Sequence, residues 1–236
     1  MTSYAHKLGL MPGFALDLLE NDPIDGKPWN FCLKEKRDRA YKKVKEEKPF
    51  LLVGCPPCTP FSQLFESNRT RMDPIKTERL VKEAREHLEF VVSLYKLQIN
   101  EGRYFLHEHP WGARSWREPC MKDIMSLPAV RTVRGDMCRH GVKIEGELVF
   151  KPTGWSSNSP CILECMHKLC DKTHKHASLE GGKAKHAAIW PKELCLSILR
   201  GLRRQLIIDN KVTINGFGTI CEEKSYEDEI EDTFFL

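Results

Sequence analysis

Between Phe50 and Pro110 the chain runs through an apolar segment, a proline-rich loop, a long amphipathic stretch, a second apolar segment and a second loop. This succession restricts the fold more than any other feature of the sequence. Phe50 to Val53 is an apolar run that enters turn residues at Gly54, Pro56 and Pro57, which reads as a buried strand ending in a loop. From about Ile75 to Asn100, Leu80, Ala84, Leu88, Val91 and Tyr95 recur at three- to four-residue intervals, the spacing of one helix face. Gly102 closes that stretch, and Tyr104 to Leu106 begins a second strand ending in His107-Glu108-His109-Pro110. Strand, helix, strand predicts a βαβ unit with parallel strands, so both loops lie at the carboxyl edge of one sheet. Open α/β sheets bind their ligands at that edge. The pattern alone therefore makes Cys58 and Glu108 neighbours.

The rest of the chain reads less sharply. Segment 34–48 holds eight bases and four acids and is predicted helical, with a solvated charged face. A strand is expected over Ile144 to Phe150, a polar Cys- and His-rich stretch over 151–186, and a helix from Lys192 to about Leu206. The expected organisation is an α/β core over 1–150, a small irregular insertion over 151–186, a closing helix returning to the core over 187–221, and an acidic tail over 222–236.

Composition sets the class. With 236 residues, 41% of them hydrophobic, the chain has material for one core, which excludes a disordered or fibrous chain. No apolar run approaches the ~18 residues of a membrane span, and the first residues lack the layout of a secretory signal. A soluble intracellular protein without a membrane partner is expected, nuclear in a eukaryotic cell. Ten cysteines then read as thiols rather than as a disulfide framework. Glu222 to Asp232 contains seven acids and one lysine, leaving +10 on the remainder of a chain whose net charge is +4. A basic body suits a polyanionic partner.

Two segments could carry chemistry. In Gly54-Cys55-Pro56-Pro57-Cys58-Thr59-Pro60-Phe61-Ser62, prolines on both sides stiffen the loop that presents Cys58, and a thiol so presented can be activated by backbone N–H groups or a nearby base. The alternative is a Pro-rich turn with incidental thiols. Glu108, at a strand end beside a cleft, could hold a proton or pair with an amidine-like edge; the alternative is a satisfied surface acid.

Together the two segments resemble the cytosine-5 DNA methyltransferase family. Gly54 to Ser62 is similar to its Pro-Cys loop, and Glu108-His109-Pro110 falls where that family has Glu-Asn-Val. Fainter likenesses are Lys151-Pro152-Thr153 with Trp155 and Asn158, and Ala187-Ala188-Ile189-Trp190-Pro191 leading into the last helix. The resemblance implies a Rossmann-like sheet dependent on S-adenosylmethionine, with 151–186 as a reduced target-recognition region. It implies that the Cys58 thiolate adds to carbon 6 of cytosine while Glu108 binds N3 and the exocyclic amine. Pro57, Ser62, His109 and Arg114 would contact substrate, and Asp17, Pro56 and Pro191 the cofactor. DNA is the implied partner, and so small a recognition region leaves room for a separate targeting partner; Arg69, Arg71, Arg114 and Arg117, which follow the two loops, could contact the DNA phosphates, with plain surface solvation as the default reading. The family's glycine-rich opening has its nearest counterpart in Gly13 to Leu18, which lacks Gly-x-Gly. A non-catalytic nucleic-acid-binding derivative of the same fold is the alternative.

The second dense neighbourhood is Cys161, Cys165, Cys170, His174 and His176. Cys161 and Cys165 could share a helical face, and the following Cys-x3-His-x-His could complete four zinc ligands. The spacing matches no common finger, so a loop that binds nothing is the favoured reading and a structural zinc the less favoured one.

Overall fold

The computed structural model describes residues 1–179 and 189–212. The acidic tail, Ala187, Ala188 and the last residues of the expected closing segment lie outside them. The predicted βαβ unit is present. Strands β1 (Leu51–Gly54) and β2 (Tyr104–Pro110) are parallel, with Leu51 opposite Tyr104 and Gly54 opposite His107. Two further helices precede the long one that connects them: α1 (Lys34–Glu47) lies before β1, and α2 (Gln63–Asn68) follows the Cys58 loop. The long helix α3 (Pro74–Asn100) starts where Asp73 Oδ1 accepts the Lys76 amide at 2.7 Å and Pro74 occupies the first turn. Leu88, Val91 and Tyr95 are buried on its inner face.

The sheet has four strands in the order β1-β2-β6-β3, completed by β3 (Arg131–Asp136) and β6 (Pro152–Ser157). Strand β6 runs antiparallel to both neighbours, with Glu108 opposite Trp155 and Val133 opposite Trp155 on its other side. This corrects the expected boundary at 151. Residues 152–157 form an inner strand of the sheet, and α5 (Pro160–Met166) packs against the closing helix α6 (Lys192–Ile208). Pro-Thr-Gly-Trp-Ser-Ser shows no apolar alternation because its hydroxyls are buried by bonding to the neighbouring strands. Ser157 Oγ donates to the Phe105 carbonyl, and Ser156 Oγ lies 3.1 Å from Thr132 Oγ1. The irregular stretch is thus confined, among the described residues, to 167–179. The strand expected over 144–150 is instead a tight hairpin of β4 (Lys143–Ile144) and β5 (Glu147–Leu148). Its turn residues Glu145 and Gly146 both have positive φ, 52° and 85°, as a two-residue hairpin turn requires.

Successive side chains on a strand point to opposite faces, and the two cores follow that alternation. Phe105 joins α1, α3 and α4 (Pro119–Met125) on one side, stacking on Tyr95 at 4.5 Å between ring centroids. Tyr104 and Leu106 join Trp155, Met137, Ile162 and the apolar face of α6 on the other. The amino-terminal segment is tied to α1 by buried charges: Lys36 Nζ donates to Asp22 (2.9 Å) and Asp25 (2.6 Å), and Arg39 bridges the same two carboxylates. The described residues form a mixed α/β domain with one parallel strand pair. Among them, no helix is long and apolar enough to cross a membrane.

Candidate functional site

The Cys58 loop leaves the end of β1 and is fixed at three points. The Pro56 carbonyl accepts a hydrogen bond from His109 Nε2 at 2.8 Å, Phe61 is buried, and Ser62 Oγ accepts the Phe65 amide at 3.1 Å as the cap of α2. The end of β1 can pack against α3 because Gly54 has no side chain: a Cβ there would stand 1.9 Å from the Tyr95 hydroxyl. That hydroxyl lies 2.9 Å from His107 Nδ1, so β1, α3 and β2 meet at one buried point.

Glu108 faces the side of the sheet that carries Trp155 and is 7% exposed. Burial raises its pKa, and Lys151 Nζ, 3.4 Å from Oε1, pulls the other way without cancelling the rise. The carboxyl therefore holds its proton more tightly than a surface glutamate. Cys58 is half-buried, and burial pushes its thiol up; Lys151 lowers it and Glu108 raises it further. Cys58, Glu108 and Lys151 thus form one electrostatic unit at the sheet edge. Lys151 is the member that sequence reading did not assign to Glu108. Its place follows from β6, whose first residue, Pro152, pairs with the Asp136 end of β3.

His109 is fully buried, with Nδ1 2.6 Å from Ser115 Oγ and Nε2 on the Pro56 carbonyl. A carbonyl only accepts, so Nε2 carries the hydrogen and Nδ1 takes the Ser115 hydroxyl proton. Burial lowers its pKa to about 4, which keeps the ring neutral in this bonded form. Both nitrogens are engaged within the protein, and His109 acts as a clamp on the Cys58 loop. Ser62 is likewise committed to its helix cap, while Pro57 is exposed. Arg114 and Arg69 are exposed and share the Glu66 carboxylate; Arg71 and Arg117 are exposed nearby in sequence.

The three expected cofactor residues do not form one cradle. Asp17 is exposed and its Oδ1 accepts the Leu19 amide at 2.6 Å, while Phe14 and Leu16 pack on the α3 side. Pro56 offers its carbonyl to His109. Pro191 caps α6 and, with Ile189, lines an open cleft of about 470 Å³ beside the β4–β5 hairpin, on the opposite side of the sheet from Phe14.

A separate cluster lies beyond β3. Cys138, Cys170, His174 and His176 bring one donor atom each within 4.8 Å of one another, an arrangement that could hold a metal ion. Cys161 and Cys165, expected to contribute, sit on α5 and are not part of it. Cys161 is buried at the α5–α6 contact, where its amide donates to Gln205 Oε1 at 3.3 Å. Cys138 was hidden from spacing arguments because a hairpin, a strand and a helix separate it from Cys170. In comparisons with protein-family models, curated proteins and solved structures, the chain has no match.

Proposed function

We propose that this protein is cytosine-5 methyltransferase-like and acts on cytosine in DNA, with Cys58 as nucleophile and Glu108 as the group that holds the base. The observation that carries this reading is the junction of the stiff Cys58 loop with a buried Glu108 whose pKa burial raises, so that it can take up a proton more readily than a surface glutamate. A neutral carboxyl offers one donor and one acceptor, complementary to the N3 acceptor and amine donor on the edge of cytosine. Proton donation to N3 draws electron density from the ring, so sulfur adds at carbon 6 and carbon 5 becomes nucleophilic. The thiol must lose its proton first, and Lys151 is the cation that favours the thiolate. In a duplex the base must leave the stack, and exposed Arg69, Arg71, Arg114 and Arg117 would meet the backbone.

S-adenosylmethionine would supply the methyl group at carbon 5, but the described residues do not fit it. Asp17 is engaged in its own turn, Pro191 lines a cleft on the opposite side of the sheet from Phe14, and among the described residues no glycine-rich turn opens a helix. Addition at carbon 6 is the step these residues can carry. The same observation favours a second reading, a nucleic-acid-binding derivative that does not transfer methyl groups.

Two assays divide the possibilities. DNA containing 5-fluorocytosine, incubated with the protein and S-adenosylmethionine, gives a stable covalent adduct, abolished by Cys58→Ser, only where methyl transfer follows addition, because fluorine at carbon 5 blocks the closing elimination. Tritium release from carbon 5 of labelled cytosine, without the methyl donor, reports addition alone and should fall about 10²- to 10⁴-fold in Glu108→Gln. Exchange without trapping leaves addition intact and methyl transfer lost. DNA binding with neither activity supports the non-catalytic derivative, and absence of all three overturns both readings.

A further inference from the structure

We propose that Cys138, Cys170, His174 and His176 bind one zinc ion that staples the irregular segment 167–179 to the short helix that follows β3.

The distances carry the argument. Cys170 Sγ lies 3.5 Å from His176 Nε2 and 3.7 Å from His174 Nε2. Zinc bound tetrahedrally at about 2.3 Å to sulfur and about 2.0 Å to nitrogen has sulfur–nitrogen edges of about 3.5 Å. The two edges from Cys170 match this length to within about 0.2 Å, and all four donor atoms lie within 4.8 Å of one another. The two imidazoles stand at 76° with their centroids 4.6 Å apart, so their lone pairs can converge without stacking. Two thiolates and two imidazoles in this geometry suit zinc rather than magnesium or calcium, which take oxygen donors.

The surroundings are those of ligands held in place. Cys170 Sγ accepts the Lys172 amide at 3.3 Å, which fixes the sulfur within its loop. The Cys170 amide in turn donates to Asp136 Oδ2 at 2.8 Å, anchoring this ligand to the last residue of β3. His174 Nδ1 faces Asp171 Oδ1 at 3.6 Å, which leaves Nε2 free for a metal. His176 rests on Phe150, 5.1 Å between centroids. Cys138 is 4% exposed, on the short 3-10 helix Met137–His140 that follows β3.

The segment has a physical need for such a staple. Residues 167–179 contain no helix or strand, and only Ala177 and Leu179 pack against the nearby core while Leu169 is exposed. So little apolar burial does not offset the entropy of ordering the segment, whereas a metal joining it to the helix after β3 would. Four protein ligands leave no open position, so the ion is structural rather than catalytic. Binding displaces the two thiol protons to solvent and involves no change of oxidation state.

The test uses the full chain. After refolding with zinc and exhaustive dialysis, elemental analysis should find one zinc per chain. Cys170→Ser and His176→Ala should each lower occupancy at least 10-fold, whereas Cys165→Ser should leave it unchanged. Should the ligand variants fail to fold, cobalt answers in the native chain. One equivalent added to chelator-stripped protein should produce tetrahedral d–d bands and a thiolate charge-transfer band, both removed by zinc, and His174→Cys should intensify the latter. The proposal is overturned by a refolded chain without metal, by a Cys138–Cys170 disulfide seen as a mass lower by two hydrogens, or by zinc lost in Cys165→Ser and kept in Cys170→Ser.

Discussion

His109 shows how one side chain can set the position of a loop it does not belong to. Its ring joins the Pro56 carbonyl to the Ser115 hydroxyl, so removing the hydroxyl leaves Nδ1 buried without a partner. Ser115→Ala should cost about 1 to 3 kcal/mol of stability, measured as a lower urea midpoint. With the clamp loosened, Cys58 should also be alkylated faster than in the unaltered chain, and an unchanged rate would mean that the loop is held by Phe61 and Ser62 alone. At this scale the sequence pointed to Cys58 and Glu108, because prolines and a strand end mark them locally. Lys151 was legible only as part of a faint motif, since its pairing with Glu108 depends on where β6 lies in the sheet.

Among the elements, the junction of β1 with α3 tolerates little change. A methyl group at position 54 would meet the Tyr95 hydroxyl at 1.9 Å and Val91 Cγ1 at 2.7 Å, both in the buried core. Gly54→Ala should destabilise by roughly 1 to 3 kcal/mol or more through overpacking. The double variant with Tyr95→Phe should be less destabilised than the two single changes added together, since the absent hydroxyl relieves the nearest contact. Thermal denaturation of the four proteins would show this, and strict additivity would mean that the strand end moves instead. Helices α1, α3 and α6 and the parallel strands were readable from period and turn residues. Strand β3 was missed, and β6 was taken for an insertion: its buried serines satisfy themselves on neighbouring strands, so its sequence does not alternate.

Across the whole molecule, buried histidines make the fold sensitive to acid. Burial lowers half-buried His87 and buried His109 and His140 to about 4, and holds His107 well below its ordinary value, against about 6.5 in an unfolded chain. Between those values the unfolded chain binds more protons than the native one, so stability falls as pH drops from about 6.5 towards 4. Glu108, whose pKa is raised, works in the opposite direction as a single group. Each histidine contributes a slope of up to about 1.4 kcal/mol per pH unit. Urea unfolding at a series of pH values should therefore give a steep decline, shallower in His87→Gln by up to that amount; identical slopes would mean that His87 is not held neutral in solution.

The sequence by itself determined what short-range patterns encode: the amphipathic helices, the βαβ unit with its parallel strands, the proline-held thiol and the acid at the following strand end. These depend on periodicity, turn chemistry and chirality, which act within a few residues of one another. Tertiary structure decided which strand stands beside β2, that His109 serves the Cys58 loop, that Lys151 reaches Glu108, and that Cys138 rather than Cys161 or Cys165 joins Cys170, His174 and His176. Each of those pairings joins segments far apart in the chain. They arise because strand backbones bury their hydrogen-bonding groups only by finding partners, and the register those partners adopt fixes which side chains meet.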